Sequence, residues 1–199
     1  MQLKLFTFTL LFLTILFGCT KAQPTLDFPP MEFRVDADRL DSLQSFPVFG
    51  LMGALPRGFA ALHDTTVQTI RQKLETRPEG TVPPARATYG FTNPSLLPSF
   101  VLISTVSRDS DRSFSEFIKN YNTAYRQFYP EAETTLLSVN GIPCWQSRRT
   151  TKTALQFRWL FDPKAGAPVC QIDLSVPLAS AADLGHSIES MIGSFKRIQ

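Results

Sequence analysis

Histidine is almost absent from this chain. His63 and His186 are the only two in 199 residues, far apart and without cysteine or carboxylate neighbours at ligand spacing, which argues against a structural zinc site. Neither sits where a general base is signalled: His63-Asp64 reads as capping chemistry at a helix start, and His186 falls on the polar side of a C-terminal helix. Cysteine is scarce too, at three residues, Cys19, Cys144 and Cys170. The chain lacks G-x-G-x-x-G, G-x-x-x-x-G-K-[ST], G-x-S-x-G, H-E-x-x-H and C-x-x-C, so no nucleotide, metalloprotease, esterase or thiol-redox machinery is signalled. No cofactor is expected. Charge of one sign is missing as well: 20 Lys and Arg face 17 Asp and Glu, with no basic block or stripe, so nucleic acid is not an expected partner. Beyond the first 18 residues there is no long hydrophobic run. With 17 Phe and moderate charge the remainder is globular rather than disordered.

What is present begins at the N-terminus. Residues 1–18 have the layout of a secretory signal, with Lys4 as the only charge and an apolar core from Leu5 to Phe17 interrupted by Thr7, Thr9 and Thr14. That core is shorter than the roughly 20 residues a membrane-spanning helix needs, and no Lys/Arg cluster follows to stop transfer. It ends in Leu16-Phe17-Gly18-Cys19, which resembles the bacterial lipobox. The resemblance implies cleavage before Cys19 and acylation of Cys19, with two or more acyl chains giving the durable anchoring that one chain cannot. The bland alternative is an ordinary cleaved signal that happens to end in cysteine. The expected location is the bacterial cell envelope, lipid-anchored on the periplasmic side or the cell surface. Thr20 and Lys21 leave no acidic residue after the cysteine to suggest inner-membrane retention. Residues 19–30, with Pro24, Pro29 and Pro30, read as a tether with a typical end-to-end distance on the order of 17 Å. Residues 31–199 read as one domain.

Along that domain, Met31 to Val35 alternates and predicts a first strand with Met31, Phe33 and Val35 inward. Asp36 to Ser45 is a short helix or a loop; Asp36, Asp38 and Asp41 within it lack the glycine and terminal glutamate of a calcium loop. Phe46 to Phe59 is apolar but broken by three glycines and two prolines, which predicts a buried irregular connection, the alternative being an exposed apolar loop. Helical spacing of Val67, Ile70 and Leu74 predicts a helix over 64–76 with Asp64 as N-cap. Arg77 to Ala85 is a surface loop, Arg86 to Phe91 a strand, and Ser99 to Ser107 a central strand covered on both faces. Arg108, Asp109, Asp111 and Arg112 form a polar connection. Ser113 and Glu116 form a capping box opening a helix over 113–129 that places Phe114, Phe117, Ile118, Tyr121, Tyr125 and Phe128 on one face. That aromatic stripe reads as core, with a ligand pocket as the alternative.

Asn140-Gly141 is the strongest short hairpin signal a sequence offers, joining 134–139 to 142–150. Ala154 to Phe161 and Pro168 to Val176 extend it into an antiparallel meander. Arg148, Arg149 and Lys152 cluster at a hairpin tip, either as solubilising charge or as contacts for anionic headgroups or an acidic partner. A helix over 180–195, capped by Ser180, buries Leu184, Ile188, Met191, Ile192 and Phe195. In the meander Cys144 falls opposite about Leu160 and Cys170 opposite about Trp159. Two strand spacings separate them, about 9.6 Å, beyond the roughly 7 Å that a disulfide tolerates, so both are expected to be reduced.

The order of these elements, with Leu55-Pro56-Arg57-Gly58-Phe59, Phe100-Val101-Leu102-Ile103, Val139-Asn140-Gly141-Ile142-Pro143 and Ile192-Gly193-Ser194-Phe195, resembles the PsbP-like family over about residues 46–198. The resemblance implies an antiparallel sheet with helices on both faces, used as a binding or assembly module, and no functional residue of the family transfers. The expected fold is therefore α+β: a mainly antiparallel sheet of about six strands with helices packed on both faces. The expected function is a lipid-anchored, non-catalytic envelope module with a protein partner. The alternatives are a carrier or sensor of an apolar small molecule, held between the sheet and helix 113–129, and an unrecognised hydrolase.

Overall fold

A computed structural model describes residues 26–75, 82–109, 111–164 and 168–198. The signal segment, Cys19 and the first part of the tether lie outside the described residues, as does most of the loop expected from Arg77. Among the described residues no helix is long and apolar enough to cross a membrane.

The main sheet has seven strands, all antiparallel, in the order β3-β4-β5-β9-β8-β7-β6. These are β3 (Ala60–Ala61), β4 (Ala85–Thr92), β5 (Phe100–Val106), β6 (Glu133–Val139), β7 (Ile142–Thr150), β8 (Ala154–Phe161) and β9 (Val169–Pro177). The meander β6 to β9 is as expected, and its first turn takes positive φ at both Asn140 (49°) and Gly141 (73°), the conformation a two-residue hairpin loop requires. Asn140 also donates to the carbonyls of Gly193 (2.9 Å) and Phe195 (2.8 Å). The hairpin therefore supplies hydrogen bonds to the C-terminal end of the last helix.

Instead of about six strands there are seven in this sheet and three in a second one. The second sheet pairs β1 (Gln44–Phe46), β2 (Leu51–Gly53) and β10 (Lys196–Arg197), in the order β1-β2-β10. Strands of two or three residues leave no alternation to read. The apolar stretch that feeds them is buried as expected, with Phe46, Phe49, Leu51, Leu55 and Phe59 at 5% exposure or less.

Alternation along the strands splits the core. One face carries Val101, Ile103, Cys144, Trp159, Phe161, Ile172 and Leu174, covered by the small sheet and by α3 (Ala181–Ser194) through Ile188, Met191 and Ile192. The other face is covered by α1 (Asp64–Glu75) and α2 (Phe114–Phe128). The α+β architecture with helices on both faces is what the chain adopts, and β5 is indeed central and covered on both sides.

The Ser113/Glu116 capping box is formed: the Ser113 hydroxyl accepts from the Glu116 N–H at 3.2 Å and the Glu116 carboxylate accepts from the Ser113 N–H at 2.9 Å. Such caps contribute about 1 kcal/mol. Two other caps differ from expectation. At α1 the cap is His63, whose carbonyl accepts from Thr66 and Val67 and whose Nδ1 lies 3.0 Å from the Thr65 hydroxyl. Ser180 makes no side-chain cap and instead ends a 3-10 turn, Leu178–Ser180.

The expected strand at Met31–Val35 is absent. Beyond Pro30, which faces Ser138, residues 31–35 meet α3 instead of a strand, with the Ser190 hydroxyl donating to Arg34 O at 3.3 Å. The Asp36 N–H donates to Ser190 Oγ (3.0 Å), and a Cβ on Gly193 would stand 2.5 Å from that of Phe33. Phe33 packs on the core, whereas Met31 (43%) and Val35 (46%) are exposed. The last residues read as tether also belong to the domain. Leu26 and Phe28 pack against the α2 cluster, with the Phe28 ring 5.5 Å from that of Phe114, and Ser138 N–H donates to Pro29 O.

Cys144 and Cys170 are both free and buried. Both pair with Phe161, from opposite sides of β8, not with Leu160 and Trp159. The β7–β8 turn is one residue longer than expected because Thr151 closes it through Ala154, donating its N–H and accepting at Oγ1. The strand order that keeps the thiols two strands apart is the expected one.

Candidate functional site

The register of the main sheet brings polar side chains into rows on the face under α1 and α2. One row runs Phe100, Ser175, Gln156, Arg149 across β5, β9, β8 and β7; the next runs Leu102, Asp173, Arg158, Ser147. Helix α1 covers the β4 side and α2 covers the β7 side. Between them an uncovered strip of sheet floors a groove of about 410 Å³.

The wall on the α1 side is apolar: Ile70 and Leu74 of the helix and Leu62 just before it, none fully buried, stand above Leu102 and the 41%-exposed Phe100. Gly90 makes this wall possible, because a Cβ there would lie 2.9 Å from Leu62 and 3.3 Å from Val67. The expected stripe of Val67, Ile70 and Leu74 is thus divided, Val67 to the core and the other two to the groove. The opposite wall is Tyr125 and Tyr129 from the end of α2, rings 4.8 Å apart. Phe128, expected on the buried face, is 48% exposed.

The polar floor is a connected network. Arg158 Nε donates to Asp173 Oδ1 at 2.5 Å and its Nη1 to the Tyr121 hydroxyl at 3.0 Å. Gln171 accepts from that hydroxyl (3.4 Å) and donates to Asp173 Oδ2 (2.6 Å). The Arg158 guanidinium also faces the Tyr125 ring at 5.5 Å, and the Tyr125 hydroxyl accepts from Ser147 at 3.2 Å. Burial pushes the Tyr121 hydroxyl up to about 12, with Arg158 pulling it back. Burial works against the charge of Arg158, and Asp173, Tyr121 and Tyr125 together more than offset it, so the guanidinium is held charged above its ordinary range.

At the rim Arg149 lies over the Tyr129 ring at 4.1 Å. Its Nε and Nη2 both donate to Gln156 Oε1, a neutral acceptor. Among the described residues its ionic neighbour is the half-exposed Glu131 at 3.8 Å. Within the basic hairpin cluster Arg148 lies 3.6 Å from Glu133, Arg149 is folded into the groove rim and Lys152 is exposed.

The remaining candidates fall elsewhere. His186 is on the exposed side of α3 beside Glu189 (3.7 Å). Asp36 caps a 3-10 turn and pairs with Arg39. Arg108, expected in a polar connection, has its side chain buried against Asp162 at 3.1 Å. The aromatic stripe of α2 is core, so the cavity lies beside that helix instead of beneath it. Among the described residues no cluster of His, Cys, Asp or Glu could hold a metal ion. The groove residues escaped the sequence reading, although Gln156/Arg158 and Gln171/Asp173/Ser175 alternate with apolar residues on two strands expected to be neighbours. That pattern marks one polar face, and a helix carrying tyrosines was available to cover it.

No protein-family model matches the chain, and no curated protein matches it in sequence. Among solved structures it is similar to cyanobacterial PsbP from Synechocystis, at 8% identity over 92% of this chain and 99% of that one, with a TM-score of 0.48. It is also similar to LpqN, involved in cell envelope biogenesis of Mycobacterium tuberculosis, at 10% identity over 73% and 82% of the two chains, TM-score 0.43. A Bacteroides thetaiotaomicron protein is similar at 14% identity over 75% of this chain and 45% of its own, TM-score 0.38.

Proposed function

We propose that this chain is a bacterial cell-envelope lipoprotein, held at a membrane by acyl chains on Cys19, whose domain binds a partner without catalysing a reaction. The observation that carries the binding half is the state of the groove's polar groups. Arg158, Asp173, Tyr121 and Gln171 satisfy one another, and the two shifted groups keep their ordinary protonation at neutral pH: the tyrosine stays neutral and the arginine charged. A general acid or base needs the opposite, a pKa brought toward the working pH. Such a floor holds shape and presents contacts. The anchoring half rests on Leu16-Phe17-Gly18-Cys19.

Two measurements test it. Mass spectrometry of the N-terminal peptide from native membranes is expected to show acyl chains on Cys19, and Cys19→Ser is expected to release the protein to the soluble fraction. An unmodified Cys19 overturns the anchoring. Affinity capture after in-cell cross-linking is expected to return the same envelope protein reproducibly, and failure to do so counts against the assembly role.

A further inference from the structure

The groove between α1 and α2 has two unlike ends, and together they specify a ligand. We infer that it binds a single-chain amphiphile with one anionic head, of the fatty-acid type. The head lies at Arg149 and the chain along Leu62, Ile70, Leu74 and Leu102. This deepens the binding-module reading and rests on it.

Charge complementarity selects the head. Arg158 and Asp173 neutralise each other in the floor, so Arg149 carries the groove's surplus positive charge. Its planar fork is spent on a neutral amide oxygen and a long contact to a half-exposed carboxylate. A carboxylate offered in that plane makes the bidentate, charge-assisted pair that guanidinium geometry favours. The Tyr129 ring beneath holds the guanidinium in place. The apolar wall selects the rest of the molecule. Leu62, Ile70 and Leu74 are only partly buried and Phe100 is 41% exposed, and an alkyl chain completes their burial. About 410 Å³ is near the lower end of the roughly 300–1,000 Å³ of small-molecule sites, which suits one chain better than a two-chain phospholipid.

The test uses the full mature chain in phosphatidylcholine vesicles, titrated with dansyl-undecanoic acid and with its methyl ester. Energy transfer from the chain's two tryptophans reports occupancy, since Trp145 stands 5.2 Å from the groove residue Tyr125. The acid is expected to give saturable transfer and the neutral ester markedly weaker transfer. Arg149→Gln is expected to weaken the acid about tenfold to a hundredfold, the effect of one charged hydrogen-bonding group, while leaving the ester unchanged; Arg149→Lys recovers part of the loss. Ile70→Asp, which puts a like charge in the chain's path, abolishes transfer by the acid. Equal binding of acid and ester, or an Arg149→Gln variant that still prefers the acid, overturns the assignment of the head. Non-saturable transfer from every variant overturns the site. If the probe fails to bind while the native lipoprotein still captures its protein partner, only the groove inference falls.

Discussion

Removing the Asp173 carboxylate is expected to destabilise the domain by more than any single surface change. Asp173 accepts from Arg158 Nε and Gln171 Nε2, and the two charged side chains retain only 17% and 19% exposure. In Asp173→Leu the guanidinium keeps the Tyr121 hydroxyl and the face of Tyr125 but no counter-charge. Breaking a buried pair from one side costs about 3–5 kcal/mol. The residual exposure lets water reach the orphaned charge and sets the expectation at the low end, about 3 kcal/mol. Arg158→Met/Asp173→Leu removes both charges together, and such apolar replacements are commonly within about 1 kcal/mol of the parent. Urea unfolding followed by Trp145 and Trp159 fluorescence reads the effect. With a slope of about 2 kcal/mol per molar urea, the single variant lowers the midpoint by about 1.5 M and the double variant by far less than the two singles combined. A drop under about 0.5 M for Asp173→Leu, or a double variant as unstable as the summed singles, would show that the pair is not buried as a unit.

Two further outcomes follow from the titrating groups. Tyr121 ionises near 12 in the folded chain against about 10 unfolded, so the unfolded chain loses its proton first. Stability from this group is therefore full below pH 10 and falls as pH rises toward 12, by about 2–3 kcal/mol; Tyr121→Phe is expected to flatten the urea midpoint across that window, and an unchanged slope would remove Tyr121 as the cause. Burial also pushes the Cys144 and Cys170 thiols well up, and both are enclosed. Ellman's reagent is expected to find no thiol in the native lipoprotein and two in urea, whereas rapid native reaction, or a Cys144–Cys170 disulfide, would contradict the packing around Phe161.

What the sequence made legible was local. The Asn140-Gly141 turn, the Ser113/Glu116 box and the apolar run at Phe100–Val106 each rest on a few adjacent residues whose backbone preferences decide the outcome. The small sheet was not legible, because β1, β2 and β10 are too short to carry a period and β10 lies more than 140 residues beyond β2. The tether was misjudged at Leu26 and Phe28, two isolated apolar residues whose partner, Phe114, is distant in sequence. The groove needed register. Arg149, Gln156, Arg158 and Asp173 look like ordinary surface polarity until β7, β8 and β9 are aligned residue by residue, and the one-residue error at Thr151 was enough to exchange the two faces of β8 relative to β7.

Phe195 stacks on both Phe46 (5.9 Å) and Phe161 (5.8 Å), and its ring lies where a Cβ on Gly53 would be, 2.9 Å away. The residues directly after it complete the sheet that β1 and β2 begin. A ribosome delivers these pieces in the reverse order of their importance to closure. Until residue 197 has emerged, Phe46, Leu51 and Phe161 share a hollow with nothing to fill it, and β2 has a bare edge. Phe195 is thus the keystone of the domain: delivered almost last, its ring fills the space that Phe46, Gly53 and Phe161 leave open.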